Sequence, residues 1–204
     1  IGYSIEAAIT SQCFDKVIVS TDDQEIAEIA KSFGAEVPFI RPDELANDHA
    51  ATIPVVKHAI EWLDEQGQSP TDVCCLYATA AFIQSQTISK AFQQLQESEA
   101  DYCFSVTSFA FPIQRSIRIT QDGKVDMFYP ENFNVRSQDL EVMFHDAGQF
   151  YWGKSNAWLE DKPVLHNSCI LEILEEHAHD IDTEEDWKRS ELMYELIINR
   201  KLNE

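Results

Sequence analysis

Short β-branched runs alternate along this chain with stretches whose apolar residues recur at helical spacing, and that rhythm limits the fold more than any other feature. Lys16-Val-Ile-Val-Ser20 and residues 73–77 are apolar enough to be buried strands, and residues 102–106 form a third. Between them Ile26, Ile29, Ala30 and Phe33 share a helical face that Asp22 or Asp23 can cap and Gly34 ends. Ile53, Val56, Ala59, Ile60 and Leu63 make a second stripe, with Pro54 in the first turn, where proline is tolerated. Ile88, Ala91, Phe92 and Leu95 make a third. Alternating strands and helices predict an α/β fold: a mostly parallel sheet between two helical layers, Rossmann-like, with ligands beyond the C-terminal strand ends.

Two departures from the rhythm matter. Residues 1–11 read as a helix leading into a buried strand, yet a right-handed crossover helix should follow a strand of its own. The expectation is a single domain over 1–204 that is incomplete at its N-terminus. From about 109 to 144 short strands and turns, including Gln121-Asp-Gly123, replace the helices, so this stretch reads as an inserted β-rich arm. Phe109, Phe111, Ile113, Ile117, Ile119, Phe128 and Phe133 give it more apolar material than a protruding arm covers alone, which points to a homodimer. Further along, residues 37–40 read as a short strand, 149–152 as a strand and 165–174 as ambiguous. A capping box at Thr183-Glu-Glu-Asp186 opens a last helix that buries Trp187, Leu192, Leu196 and Ile197 or their neighbours.

Composition narrows function. A formal net charge of −21 argues against a nucleic-acid partner, which needs clustered Lys and Arg. The same field demands local cations or a metal ion wherever a polyphosphate binds. No apolar run reaches the about 18 residues that span a bilayer, and no signal peptide opens the chain, so the expectation is no membrane and a cytoplasmic location. Cys13, Cys74, Cys75, Cys103 and Cys169 fit neither a disulfide framework nor a zinc site and read as free core thiols.

Several motifs stand in order: Tyr3-Ser-Ile-Glu-Ala-Ala8, Val19-Ser-Thr-Asp-Asp23, Gly34-Ala-Glu-Val-Pro-Phe39, and Arg41-Pro42 with Leu45-Ala46 and Asp48. Phe104-Ser-Val-Thr-Ser108, Phe111-Pro-Ile-Gln-Arg115, Arg136-Ser-Gln138, His145-Asp-Ala-Gly-Gln-Phe-Tyr-Trp152 and Asp180-Ile-Asp-Thr183 follow. Each is weak alone. Together the chain resembles the acylneuraminate cytidylyltransferases, the CMP–sialic acid synthetases, and most of all their pseudaminic acid branch.

The resemblance implies transfer of CMP from CTP to an acidic nine-carbon 2-keto sugar, a nonulosonic acid, with Mg²⁺ as cofactor and a dimer paired through the arm. Pseudaminic acid is the expected acceptor; sialic and legionaminic acids are the alternatives. It also implies a strand and a Gly-, Arg- and Lys-rich phosphate loop before Ile1, so the chain as it stands is expected to be impaired or inactive. Where the family has Pro-Thr-Ser-Pro or a close variant, this chain has Ala78-Thr-Ala-Ala81.

Asp180 and Asp182 are the catalytic and metal candidates, because two carboxylates in a turn can grip a hard divalent cation; the plain alternative is a turn residue and a surface acid. On the nucleotide side stand Arg41, Asp48, Thr52 and Thr79, with a surface ion pair and a helix cap as the alternatives for Arg41 and for Asp48 and Thr52. Gln114, Arg136, Asp146 and Gln149 form the implied acceptor side, where Arg suits a carboxylate and Gln and Asp suit hydroxyl and amide groups. Arg136 is expected to serve the neighbouring subunit's site. His145 reads rather as a structural histidine, and Phe150, Tyr151 and Trp152 as core. Two rival readings are a glycosyltransferase using Asp180-Ile-Asp182 as its metal motif, against which residues 20–23 and 145–152 speak, and an inactive nucleotide-sugar-binding domain.

Overall fold

The computed structural model describes residues 1–47 and 49–201, with side chains described through residue 197. Its central sheet has four strands, β1 (Asp72–Leu76), β2 (Tyr102–Ser108), β5 (Phe144–Lys154) and β6 (Ser168–Glu172), in the order β1-β5-β2-β6. β3 (Ile117–Ile119) and β4 (Val125–Met127) form a separate hairpin inside the arm. β1, β2 and β6 point the same way, so three strands of four are parallel in sense. β5 runs against them and fills the gap between β1 and β2. A strand's direction leaves no mark on its composition, so this insertion is a finding of the structure.

Strand alternation sorts the core into two layers. Cys74, Cys103, Phe150 and Trp152 face α1 (Gly2–Ser11) and α4 (Ser85–Glu97), where Ala7, Ile88, Ala91 and Leu95 are buried. Val73, Cys75, Tyr102 and Tyr151 face α3 (Thr52–Glu65) and α5 (Ser155–Leu159), against Val56, Ile60, Ala157 and Trp158. The expected α/β/α sandwich is therefore present. α2 (Gln24–Ser32) is capped by the Asp23 carboxylate, which accepts the Ile26 N–H at 2.9 Å. All five cysteines are free thiols.

Three expectations need correction. Residues 16–20 and 37–40 do not form strands: a single parallel bridge joins Ile18 to Glu36. On one side of the 17–19 segment Val19 N–H donates to the Glu36 carbonyl and Glu36 N–H donates to the Val17 carbonyl, but its other side faces a cavity of about 940 Å³ that separates it from β1. Without a hydrogen-bonded neighbour in that gap, β-branched composition alone does not make a ladder. Of the expected α2 stripe only Ala30 is buried, with Ala27 beside it, while Ile26, Ile29 and Phe33 stay exposed. The last helix, α6 (Glu184–Lys201), buries Ser190 and leaves Trp187, Leu192 and Leu196 exposed. Its capping box does form: Thr183 Oγ1 accepts from Asp186 N–H at 3.2 Å, and the Asp186 carboxylate accepts from Thr183 N–H at 3.0 Å. No helix among the described residues is long and apolar enough to cross a membrane.

Candidate active site

Two of the four nucleotide-side candidates, Arg41 and Thr52, meet on the rim of the large cavity. Arg41, Thr52 and Tyr77 line it together with Ser20 and Thr21. Arg41 reaches this position because its N–H donates to the Thr21 carbonyl at 2.9 Å, which holds it against the end of the 17–21 segment. One guanidinium nitrogen pairs with Asp22 at 3.3 Å, while Nε is buried with no partner among the described residues. Ser20 Oγ is likewise buried and unpartnered. Buried polar atoms are nearly always hydrogen-bonded, so two orphans lining one cavity are the expected signature of a site that a polar ligand completes. Thr52 opens α3, and its hydroxyl lies 2.9 Å from the Tyr77 hydroxyl. Thr79 is exposed in the turn after β1 and does not line the cavity. That turn is pinned by Ser4, whose hydroxyl donates to the Tyr77 carbonyl at 3.0 Å. Asp48 lies outside the described residues.

On the other side of β1 an irregularity in β5 shapes the acceptor-side candidates. Phe104 pairs with Tyr151 but Val106 pairs with Asp146, so β5 carries extra residues around Gly148. Bulges of this kind bend a strand and re-aim its side chains, and they concentrate next to functional sites. Gly148 has φ +63°, a conformation that glycine adopts without strain. A Cβ built there would stand 3.9 Å from Asp180 Oδ2, so the bulge brings the β5 candidates beside the Asp180 loop. Asp146 is exposed with both oxygens engaged: Oδ1 accepts from Gly148 N–H at 2.8 Å, and Oδ2 accepts from the Tyr151 hydroxyl at 2.5 Å. Burial, then Asp146 and Tyr77, push the Tyr151 phenol far above its ordinary range.

Gln149 is buried and spends its amide on the His177 carbonyl at 2.6 Å, which ties β5 to the loop before Asp180. Gln114 is 93% buried: Nε2 donates to the Glu141 carbonyl at 2.9 Å, and Oε1 finds no partner among the described residues. Arg136 is not gathered with the others. It is exposed on the arm and pairs with Asp139 at 2.7 Å. His145 packs on Phe109 with ring centroids 4.8 Å apart and holds the Asp146 carbonyl at 2.8 Å through Nδ1. Asp180 and Asp182 are both exposed, and Asp180 Oδ1 accepts from Ile181 N–H at 3.0 Å. Among the described residues no group of three or more His, Cys, Asp or Glu could hold a metal by itself. A pair of exposed carboxylates still fits Mg²⁺, which takes one or two carboxylates and fills its octahedron with water and substrate phosphates. Sequence reasoning missed Tyr77 and Tyr151 as site residues. The polar handle of a tyrosine inside an apolar strand run was the available signal.

Comparison with known proteins identifies the family. The family described as Cytidylyltransferase matches residues 1–157. Pseudaminic acid cytidylyltransferase of Campylobacter jejuni is 39% identical over 197 residues, which are 96% of this chain and 85% of that protein. N-acylneuraminate cytidylyltransferase of Escherichia coli is 30% identical, over 92% of this chain and 44% of its own length. Among solved structures, CMP:2-keto-3-deoxy-manno-octonic acid synthetase complexed with CTP superposes with a TM-score of 0.66 at 14% identity, covering 96% of this chain and 87% of that one. At that identity the likeness shows the fold.

Proposed function

The chain belongs to the cytidylyltransferase family and is thus a nucleotidyltransferase, and we propose that it transfers CMP from CTP to pseudaminic acid, releasing pyrophosphate. The observation that carries the choice of acceptor is the 39% identity to a pseudaminic acid cytidylyltransferase across 85% of that enzyme, against 30% to an N-acylneuraminate enzyme.

In this reading the anomeric hydroxyl of the sugar acid attacks the α-phosphorus of CTP. A P–O bond forms, the bond to pyrophosphate breaks, and the hydroxyl proton is lost. Little covalent help is needed from the protein, so catalysis rests on alignment and on charge placed where the leaving group develops it. Arg41, with Nε buried and without a partner among the described residues, supplies a bidentate cation for the nucleotide phosphates. Thr52 and the start of α3 meet the nucleoside. Gln114 turns its Oε1, which has no partner among the described residues, to an amide or hydroxyl of the acceptor, and Asp146 takes another hydroxyl. Asp180 and Asp182 would hold Mg²⁺, which when bound neutralises charge on the departing pyrophosphate.

The arm is read as a dimer contact, with Arg136 serving the neighbouring subunit. Phe111 is 84% exposed and Ile119 78% exposed, with Val125, Phe128 and Phe133 exposed beside them. The protein is placed in the cytoplasm, where CTP is made. The test is pyrophosphate release by the full-length protein. Release that requires CTP, Mg²⁺ and the sugar acid together supports the reading. Its absence with every nonulosonic acid refutes it.

A further inference from the structure

We propose that Tyr77 and Tyr151 are positioning residues that tie Thr52, at the start of α3, to Asp146, on β5, so that the nucleotide and acceptor sides of the site are energetically coupled. The proposal rests on the assignment of those two sides made above. Its basis is a row of polar side chains crossing the sheet. Thr52 Oγ1 lies 2.9 Å from the Tyr77 hydroxyl. The Tyr77 and Tyr151 rings meet edge to face with centroids 5.6 Å apart. Tyr151 then donates to Asp146 at 2.5 Å.

An ionised carboxylate only accepts, so Tyr151 must donate to Asp146. Tyr77 shares a hydrogen bond with Thr52, which lines the cavity. The Asp146 carboxylate therefore reaches a nucleotide contact through two hydrogen bonds and the ring contact between them, so that each hydroxyl fixes the ring that carries it. Rings packed in the core hold the row in place, since Tyr151 packs with the α3–α5 layer and Tyr77 against the α1–α4 layer.

A double-mutant cycle separates coupling from mere packing. In the full-length protein with Mg²⁺, CTP affinity is measured by calorimetry for wild type, Thr52→Val, Tyr151→Phe and the double variant, with melting temperatures alongside. Tyr77→Phe, which cuts the row in the middle and keeps the ring, is the second probe. Tyr151→Phe is expected to weaken CTP by about fivefold although its lost hydroxyl contacts Asp146, and that effect is expected to vanish in the Thr52→Val background. Tyr77→Phe is expected to reproduce it with an unshifted melting temperature. Effects of Thr52→Val and Tyr151→Phe that multiply to within twofold overturn the proposal. Since calorimetry reads CTP alone, a wild type that binds CTP but turns over no sugar acid defeats the proposed function and leaves the cycle to decide the coupling. A wild type that binds no CTP overturns both.

Discussion

Replacing Gly153 by alanine tests the packing on which the site is built. Gly153 lies on β5, opposite Val73 of β1 and Tyr102 of β2, a few residues from Asp146 and Gln149. An added Cβ would stand 2.4 Å from Trp158 Nε1 and 2.6 Å from Tyr102 Cδ1. Neither ring has room to withdraw, because both are 0% exposed and they pack edge to face at 4.9 Å. Each is also anchored: Trp158 Nε1 donates to the Val73 carbonyl at 3.3 Å, and the Tyr102 hydroxyl donates to the Lys162 carbonyl at 3.0 Å. Overpacking a rigid core costs about 1–3 kcal/mol, and the upper end applies where two locked rings must move together. For a chain of 204 residues a loss of about 3 kcal/mol lowers the melting temperature by roughly 6–12 °C. Thermal unfolding followed by circular dichroism measures it. A Gly153→Ala variant melting within about 2 °C of wild type would show that β5 is not packed as described.

Asp182→Asn keeps the side chain's shape and removes a negative ligand, so turnover should fall by about 100-fold with the melting temperature unchanged; equal loss of both would mark a structural turn. Phe128, exposed on the arm beneath Arg118 at 5.7 Å, is expected to shift the protein from twice the chain mass to a monomer when changed to Asp, read by light scattering; a native wild-type monomer refutes the arm contact. Asp101 accepts from Asn167 and Lys162, both at 2.9 Å, and these bonds hold its carboxyl below the usual range. A depressed folded pKa means the stabilisation is present above the unfolded value of about 3.9 and is lost as pH falls through the folded value. Asp101→Ala should therefore lower the melting temperature by about 2–4 °C at neutral pH, with the gap closing in acid; a gap that persists at low pH would mean the bonds do not depend on the charge.

Local signals in the sequence carried the helices with deep stripes and the capped ends. Val56 and Ile60 of α3, and Ile88, Ala91 and Leu95 of α4, are buried as their spacing requires, and Asp23 and Thr183 cap where their positions predict. What depends on a neighbour was not legible. Residues 16–20 read as a strand by composition, yet a ladder needs consecutive pairs, and among the described residues a single bridge to Glu36 forms. Trp187, Leu192 and Leu196 looked inward because apolar residues on a helix usually do, but burial depends on an opposing surface that the α6 sequence does not encode. The same holds at the site. The motifs pointed to Arg41, Thr52, Gln114 and Asp146, and Arg41 and Gln114 do carry buried atoms without a partner among the described residues. Gln149 turns inward to His177, and Arg136 pairs on the arm with Asp139, because strand register and arm geometry set those directions. Tyr151 read as core and is half of each, packed by its ring and engaged with Asp146 by its hydroxyl.

The assignment of CMP transfer to pseudaminic acid is tested most directly by product analysis. The full-length protein is incubated with CTP, Mg²⁺ and either pseudaminic acid or N-acetylneuraminic acid, and the products are resolved by mass spectrometry with pyrophosphate measured in parallel. The expected result is the CMP conjugate of pseudaminic acid, one pyrophosphate per conjugate, and a clear preference for that acid in kcat/KM. CTP left intact with both acids, or N-acetylneuraminic acid used better, would contradict the assignment.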